Sequence, residues 1–348
     1  MRIHLGHHFY GAGNLGDDFM LAGFLAAMRE LAPAATFTCC VPFGLEPLRA
    51  RFPAIEWFSL EDADRTRCIE ACDVWLGLGG APFQSALSRW FLDHLVGEME
   101  LCTRGKKPMF YLGVGIQAAA ELNEVAVRHL CARAAQIWTR DAGSAERLRA
   151  LPVRPAVTAA ADLSHIFLRA NPPPPAKARR LTMVANFDYE AWRGQDACLD
   201  AVKRLPATER VWLAQEAREL PGAERLLFHA LPATEKAWWR FISPERPGAP
   251  LEQVLAGWPS GEWLITARYH AALVGAWAGS RVAVISTNEK LRSAAHDLHA
   301  PLLALGADEG TVVRTVSAAS AATPPVHLAD RAWSACREFV RSAVAHRR

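Results

Sequence analysis

The sequence predicts an α/β protein in which two doubly wound domains face each other across a cleft. Three observations support this fold class: the length of 348 residues, a repeated alternation of short apolar runs with helical patterns, and four consecutive prolines at 172–175 that interrupt this alternation. A chain of this length holds roughly two domains. Because strands that alternate with helices form parallel βαβ units, each half is expected to be Rossmann-like.

The first half contains five predicted strands and five predicted helices. The strands are apolar runs that end at glycine or polar turns, and the helices carry apolar residues at spacings of three and four. The predicted strands are 2–10, 36–41, 74–78, 108–114 and 137–140. The predicted helices are 17–31, 46–51, 87–103, 123–135 and 143–151.

After the prolines, which favour an extended spacer, the same alternation resumes. The predicted strands are 181–186, 211–215, 263–266 and 282–286, and the predicted helices are 195–203, 223–227, 269–278, 290–298 and 331–345. We therefore expect an N-terminal domain, a proline-rich linker, a C-terminal domain and a closing helix at 1–170, 171–180, 181–326 and 327–348. Ligands bind at the carboxyl ends of such sheets, so the cleft is expected there.

The composition is that of a packed protein and excludes several classes. Hydrophobic residues make up 51% and charged residues 22% of the chain, which excludes disorder and collagen-like repeats. The net charge of +3 gives no reason to expect a nucleic-acid partner. The longest apolar stretch, 271–286, is shorter than the roughly 20 residues that span a bilayer. The N-terminus lacks a signal-peptide pattern, so we expect a cytoplasmic protein.

The eight cysteines do not predict a metal site. They are scattered without a CxxC pair or a Cys/His spacing typical of metal ligands, and in a cytoplasm they are expected to stay reduced. Cys68 and Cys72 are spaced for one helix face, but a metal there would need two further ligands. We therefore expect neither a metal nor a cofactor.

The first candidate site follows the first predicted strand. Gly11, Gly13 and Gly16 have the GxGxxG spacing. Gly13 and Asn14 are candidate residues on the acceptor side, although Asn14 is also suited to cap the helix that follows. The acids Asp17 and Asp18 come next and would repel a pyrophosphate. They are either favourable first-turn acids on the helix dipole or carboxylates that accept hydrogen bonds from sugar hydroxyls.

Two further glycine-rich turns follow apolar strands and open toward the same sheet edge. They are Gly77-Leu-Gly-Gly80 and Gly113-Val-Gly-Ile116. Either these glycines only shape turns, or the loops face substrate, in which case the candidate residues are Gly79, Gly80, Gln84, Gly115 and Gln117.

Cationic candidates end strands in both halves. Arg140 follows a short strand and either faces the cleft or pairs with Asp141. Arg268 and His270 are expected to project together, with Tyr269 facing elsewhere, because positions i and i+2 of an extended segment share a side. Arginine recognises carboxylate or phosphate, and histidine transfers protons near neutral pH. Lys290 follows the next strand and could reach a phosphate.

Taken together, these motifs resemble the polysaccharide pyruvyl transferase family and span most of the chain. The ordered set is Gly11-Ala-Gly-Asn-Leu-Gly-Asp-Asp18, Gly77-Leu-Gly-Gly80, Gly113-Val-Gly-Ile116, Thr139-Arg-Asp141, Asp162, Arg268-Tyr-His270 and Lys290. The resemblance implies a GT-B-like fold and transfer of pyruvate from phosphoenolpyruvate to a sugar, as a cyclic ketal on two hydroxyls. Ser-Thr-Asn-Glu before Lys290 and Ala-Pro-Phe-Gln after Gly80 depart from the family pattern.

The resemblance implies an acceptor-side N-terminal domain and a donor-side C-terminal domain. Phosphoenolpyruvate carries a carboxylate and a phosphate, and the expected donor cations are Arg140, Arg268 and Lys290. His270 is the expected acid, and Asp17 or Asp18 is expected to position or deprotonate the acceptor. The partners are then phosphoenolpyruvate and a sugar of a cell-surface polysaccharide or its precursor. A lipid-linked acceptor would place the enzyme at the inner face of the membrane.

Two other functions stay open at this point. One is a GT-B glycosyltransferase that uses a nucleotide sugar, with Glu289 as the acid that binds the ribose. The other is a relative without catalysis that binds a glycan. The paired Arg268 and His270 argue against the second alternative.

Overall fold

The structure, a computed structural model, confirms the predicted class of two Rossmann-like α/β domains. It describes residues 1–6, 9–11, 13–42, 44–83, 89–116, 122–152, 156–185, 196–216, 224–304 and 306–346. Two parallel sheets form the framework, one in each half of the chain. Each strand pairs in parallel with its neighbours, so the carboxyl ends of the strands in a sheet meet at one edge.

The first sheet has seven strands in the order β3-β2-β1-β4-β5-β6-β7. The strands are β1 (Arg2–Leu5), β2 (Thr36–Val41), β3 (Ile55–Ser59), β4 (Val74–Leu78), β5 (Met109–Val114), β6 (Gln136–Thr139) and β7 (Val157–Ala159). The helices of this half are α1 (Leu15–Leu31), α2 (Glu46–Arg51), α3 (Asp62–Ala71), α4 (Trp90–Arg104), α5 (Val125–Arg133), α6 (Ala142–Arg149) and α7 (Ser164–Ala170).

The second sheet has six strands in the order β10-β9-β8-β11-β12-β13. The strands are β8 (Lys177–Val184), β9 (Glu209–Leu213), β10 (Arg240–Ile242), β11 (Gly261–Thr266), β12 (Arg281–Ser286) and β13 (Leu302–Ala304). The helices are α8 (Asp196–Arg204), α9 (Glu224–Ala230), α10 (Ala233–Lys236), α11 (Leu251–Ala256), α12 (Tyr269–Trp277), α13 (Glu289–Asp297), α14 (Glu309–Ala318) and α15 (Val326–Ala345).

The central strands are buried on both faces. Every residue of β4 and β5 is buried, as expected for continuous apolar runs in a parallel sheet that helices cover on both sides. Side chains cap three of the helices that begin at the carboxyl edge near the cleft: Asn14 caps α1, Asp141 caps α6 and Asn288 caps α13. In each case the side-chain oxygen accepts a backbone N–H of the first turn, which determines where the helix begins.

The final helix α15 packs on the first sheet, although it follows the second sheet in the chain. The Phe339 ring lies 5.6 Å from Phe110 and 6.2 Å from Trp138, measured between ring centroids. The indole of Trp138 donates a 2.9 Å hydrogen bond to Glu338. The C-terminal helix therefore completes the core of the N-terminal half.

The structure differs from the predicted elements mainly at strand ends and sheet edges. The first strand ends at Leu5 rather than at residue 10, and Tyr10 lies in a turn where its hydroxyl donates to the Leu78 carbonyl at 2.8 Å. Elements that the sequence did not predict are β3, α3, β7, α7, α10, β10, α11, β13 and α14. The predicted domain boundaries stay a prediction, and residues 177–180 of the predicted linker belong to β8.

Within the described part of the chain, no helix combines the length and apolarity that crossing a bilayer requires. All eight cysteines lie in the described ranges, where they are buried thiols outside any disulfide bond. No group of three or more His, Cys, Asp or Glu side chains is arranged to hold a metal among the described residues.

Candidate active site

The candidate site lies where the carboxyl edges of the two sheets meet. The first sheet contributes the starts of α1 and α6 and the turn before α7, and the second contributes the starts of α12 and α13. Polar contacts join the two sets of elements. Ser293 on α13 donates to the Asp141 carboxylate at 3.2 Å, and Arg147 on α6 pairs with Glu289.

His270 and Asp162 form a buried pair across the two halves. His270 lies in the first turn of α12, and its Nε2 is 3.4 Å from Oδ2 of Asp162. The other carboxylate oxygen of Asp162 accepts the backbone N–H and the hydroxyl of Ser164, at 2.9 and 2.6 Å. Burial alone would raise the pKa of Asp162, but His270, Arg140 and Ser164 outweigh it and hold the pKa well below its usual range. Asp162 therefore faces the imidazole as a carboxylate.

Gly16 leaves the space that this imidazole occupies. A Cβ added at Gly16 would overlap Nδ1 of His270. Gly11 and Gly13 serve a different purpose, since their φ angles of 66° and 89° lie in the left-handed region that glycine adopts without strain. The three glycines therefore turn the chain and admit a histidine from the other half of the molecule.

Arg140 is enclosed at the end of β6. It is 1% exposed, and its Nη1 donates to the Gly80 carbonyl at 3.3 Å. Its Cζ lies 4.7 Å from the centroid of the Tyr269 ring. Among the described residues, Nε and Nη2 of Arg140 have no hydrogen-bond acceptor. A Cβ at Gly115 would overlap this guanidinium, so Gly115 provides its space.

The Asp141 carboxylate lies within ion-pair distance of Arg140 but accepts no hydrogen bond from it. Its Oδ2 is 3.8 Å from Nε of Arg140 and accepts the Ser144 hydroxyl at 2.9 Å. Its Oδ1 accepts the Ser144 backbone N–H at 2.7 Å, which caps α6. The sequence left open whether Arg140 faces the cleft or pairs with Asp141. Both apply, because Arg140 is a buried cation beside the cleft and also lies within ion-pair distance of Asp141.

Lys290 reaches the same aromatic ring from the second half. It lies in the first turn of α13, half-buried, with its Nζ 5.5 Å from the Tyr269 ring centroid. Within the described ranges, this ammonium group has no hydrogen-bond or ion-pair partner. Burial, together with the charges of Arg140 and Arg268, lowers the pKa of Lys290 to about 7. Three cations therefore converge on one region.

Arg268 differs from the other two cations because carboxylates bracket it. Its Nη2 is 2.7 Å from Glu216 and its Nε is 2.8 Å from Glu224. Burial raises the pKa of Glu224 to about 7, although Arg268 acts in the opposite direction. Arg268 was expected to be an available cation for the donor, but it is already paired with Glu216 and Glu224. These two acidic partners were not identified from the sequence.

Asp17 and Asp18 have separate environments. Asp18 is fully buried, accepts the Gly11 N–H at 2.8 Å and lies 2.6 Å from Nη1 of Arg51. Burial raises the pKa of Asp18 to about 6 against the opposing effect of Arg51. Asp17 accepts the side-chain amide of Asn14 at 2.9 Å, and its charge acts on Arg268 and Lys290. Asp17 is therefore the acid that faces the cationic region.

The glycine loops of the first sheet pack around this region. Gly79 and Gly80 have φ angles of 68° and 69°, and the Gly80 carbonyl accepts the N–H of Gly115 at 2.9 Å. These loops therefore hold Arg140 in place through Gly80 and Gly115. Gln84 and Gln117 lie outside the described residues.

Tyr269 is a site residue that the sequence analysis missed. We expected it to face away from Arg268 and His270, on the rule for extended segments. That prediction was wrong because α12 begins at Tyr269, so only Arg268 is extended. The ring instead contacts Arg140, Lys290 and His270. The signal that could have placed it is the helical pattern starting at 269.

Comparison with known proteins identifies the family and the fold. A family model described as polysaccharide pyruvyl transferase matches residues 14–289. No match appears among the curated proteins.

Solved structures share the architecture at low sequence identity. The chain is similar to HepE of Anabaena in complex with UDP-glucose, with a TM-score of 0.65, 12% identity and 99% of each chain covered. It is also similar to UDP-GlcNAc 2-epimerase of Neisseria meningitidis, with a TM-score of 0.57, 9% identity and coverage of 99% and 98%. A glycosyltransferase of Siraitia grosvenorii in complex with UDP gives a TM-score of 0.55, 9% identity and 99% coverage of each chain. These similarities show a GT-B-like fold.

Proposed function

The chain belongs to the polysaccharide pyruvyl transferase family, and we propose that it transfers pyruvate from phosphoenolpyruvate to a sugar of a cell-surface polysaccharide or its precursor. The observation that carries this proposal is the placement of Arg140 and Lys290 around one ring, beside the pair of His270 and Asp162. The donor has two anionic groups, which Arg140 and Lys290 can bind. Its methylene carbon needs a proton, which His270 can donate.

The two cations suit a small anion that carries more than one charge. The unpartnered N–H groups of Arg140 can donate to carboxylate or phosphate oxygens, and the ammonium of Lys290 adds a point charge. Binding of the donor dianion favours the protonated form of Lys290. We assign donor binding to these two residues. Arg268, paired with Glu216 and Glu224, is assigned a positioning role at the start of α12.

The proposed reaction begins with proton transfer from His270 to C3 of phosphoenolpyruvate, which makes a methyl group and leaves C2 electron-poor. One sugar hydroxyl adds to C2, and Asp17 accepts its proton. The C2–O bond to phosphate then breaks, the second hydroxyl attacks C2, and its proton leaves with the phosphate. The products are a cyclic ketal and inorganic phosphate, and the scheme requires no cofactor. Asp17 then releases its proton to solvent and His270 takes one up, which restores both residues.

The surrounding residues support these roles. Asp162 orients His270 and stabilises the imidazolium form that donates the proton, through the same kind of carboxylate–imidazole pairing as in a catalytic triad. Asp17 lies close enough to the cations for their charges to interact. Asp18 is engaged with Gly11 and Arg51, so we assign it a structural role rather than the catalytic one expected from the sequence. The acceptor is a sugar with two neighbouring hydroxyls, free or lipid-linked.

The test combines donor binding with turnover. Phosphoenolpyruvate should raise the midpoint of thermal unfolding of the wild-type protein, and mass spectrometry with a panel of nucleotide-linked and lipid-linked sugars should show an acceptor enlarged by the pyruvyl unit. His270→Ala should lower kcat about 10²- to 10⁴-fold while donor affinity changes little, because general acid catalysis contributes about that factor. Turnover of His270→Ala at the wild-type rate would exclude His270 as the acid.

A nucleotide-sugar glycosyltransferase is the second candidate, because the fold neighbours HepE and the Siraitia grosvenorii transferase were solved with UDP-glucose or UDP. The residue expected to bind its ribose, Glu289, pairs with both Arg147 and Arg292. Stabilisation by UDP but not by phosphoenolpyruvate would favour this candidate. A glycan-binding relative without catalysis would release no phosphate with any acceptor.

A further inference from the structure

Tyr269 contacts each of the three side chains that the proposed function places at the donor. The Cζ of Arg140 lies 4.7 Å from its ring centroid and the Nζ of Lys290 lies 5.5 Å from it. The His270 ring packs at 88° to it, with centroids 5.1 Å apart. Tyr269 is 4% exposed, so these contacts are shielded from water.

We propose that the aromatic face of Tyr269 is a positioning element that holds Arg140 and Lys290 together as an anion-binding pair. This inference rests on the proposed function and deepens it, because it explains how the buried Arg140 and the half-buried Lys290 are kept beside each other before the donor arrives. Like charges repel at short range, and buried charge is costly without compensation. An aromatic face attracts cations through its quadrupole and offsets part of that cost.

The ring offers compensation that a carboxylate cannot offer. Arg268 shows the alternative within the same molecule, since its Nη2 donates a hydrogen bond to Glu216 and its Nε lies within ion-pair distance of Glu224. Tyr269 instead lies over the guanidinium of Arg140, and it leaves Nε and Nη2 without an acceptor in the described part of the chain. The site therefore keeps both its positive charge and its hydrogen-bond donors for an anionic ligand.

The position of Tyr269 in the chain couples this pair to the acid. Tyr269 and His270 are the first two residues of α12, and His270 is seated against Gly16 and Asp162. The ring is thus placed by the same helix start that places the imidazole. Arg140 comes from the first sheet and Lys290 from the second, so Tyr269 also joins cations of the two halves.

The experiment compares Tyr269→Phe with Tyr269→Leu in the full-length protein. Titration calorimetry measures the Kd of phosphoenolpyruvate and of inorganic phosphate, and steady-state kinetics measures KM and kcat. Tyr269→Phe keeps the aromatic face, so its Kd for each anion should stay within about threefold of wild type. Tyr269→Leu should raise the Kd of each anion about 10- to 100-fold, with a smaller change in kcat than in KM.

A third variant keeps the fold while it weakens the ring. Incorporation of a trifluorinated phenylalanine at position 269 retains the shape of the phenyl group but removes most of its negative face. If Tyr269→Leu fails to fold, the role of the ring is tested by comparing the Kd of the fluorinated variant with that of Tyr269→Phe. The fluorinated variant should bind phosphate at least about fivefold more weakly.

The outcomes separate the two proposals. Equal phosphate affinity of the fluorinated and Tyr269→Phe variants would overturn the role of the ring, as would a Tyr269→Phe that binds as weakly as Tyr269→Leu. Wild-type protein that binds phosphate but not phosphoenolpyruvate would reject the proposed function. In that case the phosphate titrations still test Tyr269, and weaker binding by the fluorinated variant would support its role at an anion site of another reaction.

Discussion

A single missing side chain at Gly16 determines whether the two halves of the site can meet. The imidazole of His270 lies against α1 where a Cβ would otherwise be. The glycine spacing that resembles a dinucleotide-binding fingerprint thus has a different physical reason here. Glycine at this position provides space for a side chain, whereas Gly11 and Gly13 provide left-handed turns.

We therefore expect Gly16→Ala to displace His270 and separate it from Asp162. The kcat of the proposed phosphoenolpyruvate-dependent transfer should fall at least about 100-fold, because displacement of the proposed acid by about 1 Å has a cost of this size. Gly97→Ala is the control, since a Cβ on that helical glycine approaches no described atom more closely than 4.0 Å. If Gly16→Ala has the same kcat as Gly97→Ala, the space that Gly16 leaves for His270 is not needed for activity.

Single residues also show which parts of the site could be predicted from the sequence. Arg140, His270 and Lys290 each follow a strand, and the rule that ligands bind at strand ends was enough to bring them together. The partners of Arg268 were not predictable, because Glu216 and Glu224 lie far from it along the chain and carry no local pattern. Long-range pairs of charged side chains depend on the packing of whole elements.

At the scale of elements, helix caps determine the geometry of the cleft. Asp141 caps α6 through Ser144 and also accepts the Ser293 hydroxyl of α13. Asp308 caps α14 in the same way through Thr311, but it is exposed and lies at a helix that contributes no residue to the site. The two caps therefore provide a matched comparison of local stability with function.

Asp141→Ala should lower the free energy of unfolding by about 1 kcal/mol, which is typical for loss of a cap. In the proposed reaction it should also raise the KM of phosphoenolpyruvate several-fold, because Arg140 directly precedes this cap and its Nε lies 3.8 Å from the Asp141 carboxylate. Urea denaturation and steady-state kinetics measure the two effects. Asp308→Ala loses its cap without a change in KM, and equal KM values for both variants would contradict this role of Asp141.

The elements that were predicted and those that were missed differ in a physical way. Buried strands such as β4 and β5 were recognised because covered parallel strands are continuous apolar runs. The strands β10 and β13 have three residues each and lie at the edges of the second sheet, where such a run is not required. The ends of strands were also less predictable, since β1 stops five residues before the apolar pattern does.

At the scale of the whole molecule, Arg51 fastens the two halves together away from the donor cations. Its guanidinium pairs with Asp18 at 2.6 Å and with Glu245 of the second half at 3.0 Å. It also donates to the carbonyls of Arg246 and Ala249, at 2.6 and 2.9 Å. All three charged side chains are nearly inaccessible, so removal of Arg51 leaves two carboxylates buried without their partner.

Arg51→Ala should lower the free energy of unfolding by about 3–5 kcal/mol, the range for breaking a buried ion pair from one side. Arg49→Ala is the control, because its ion pair with Glu46 is exposed on the same short helix and contributes at most about 1 kcal/mol. Chemical denaturation followed by circular dichroism distinguishes the two variants. Comparable losses for both would mean that Arg51 does not hold the halves together.

Because α15 returns to the first sheet, the N-terminal half is built from two segments that are far apart along the chain. The polypeptide passes from one half to the other and back, so the half that contains the second sheet is an insertion within the other half rather than an appended unit. A fragment that stops before residue 326 would leave Phe110 and Trp138 without Phe339 as a cover. Exchange of specificities with a relative by recombination therefore requires two crossover points, not one.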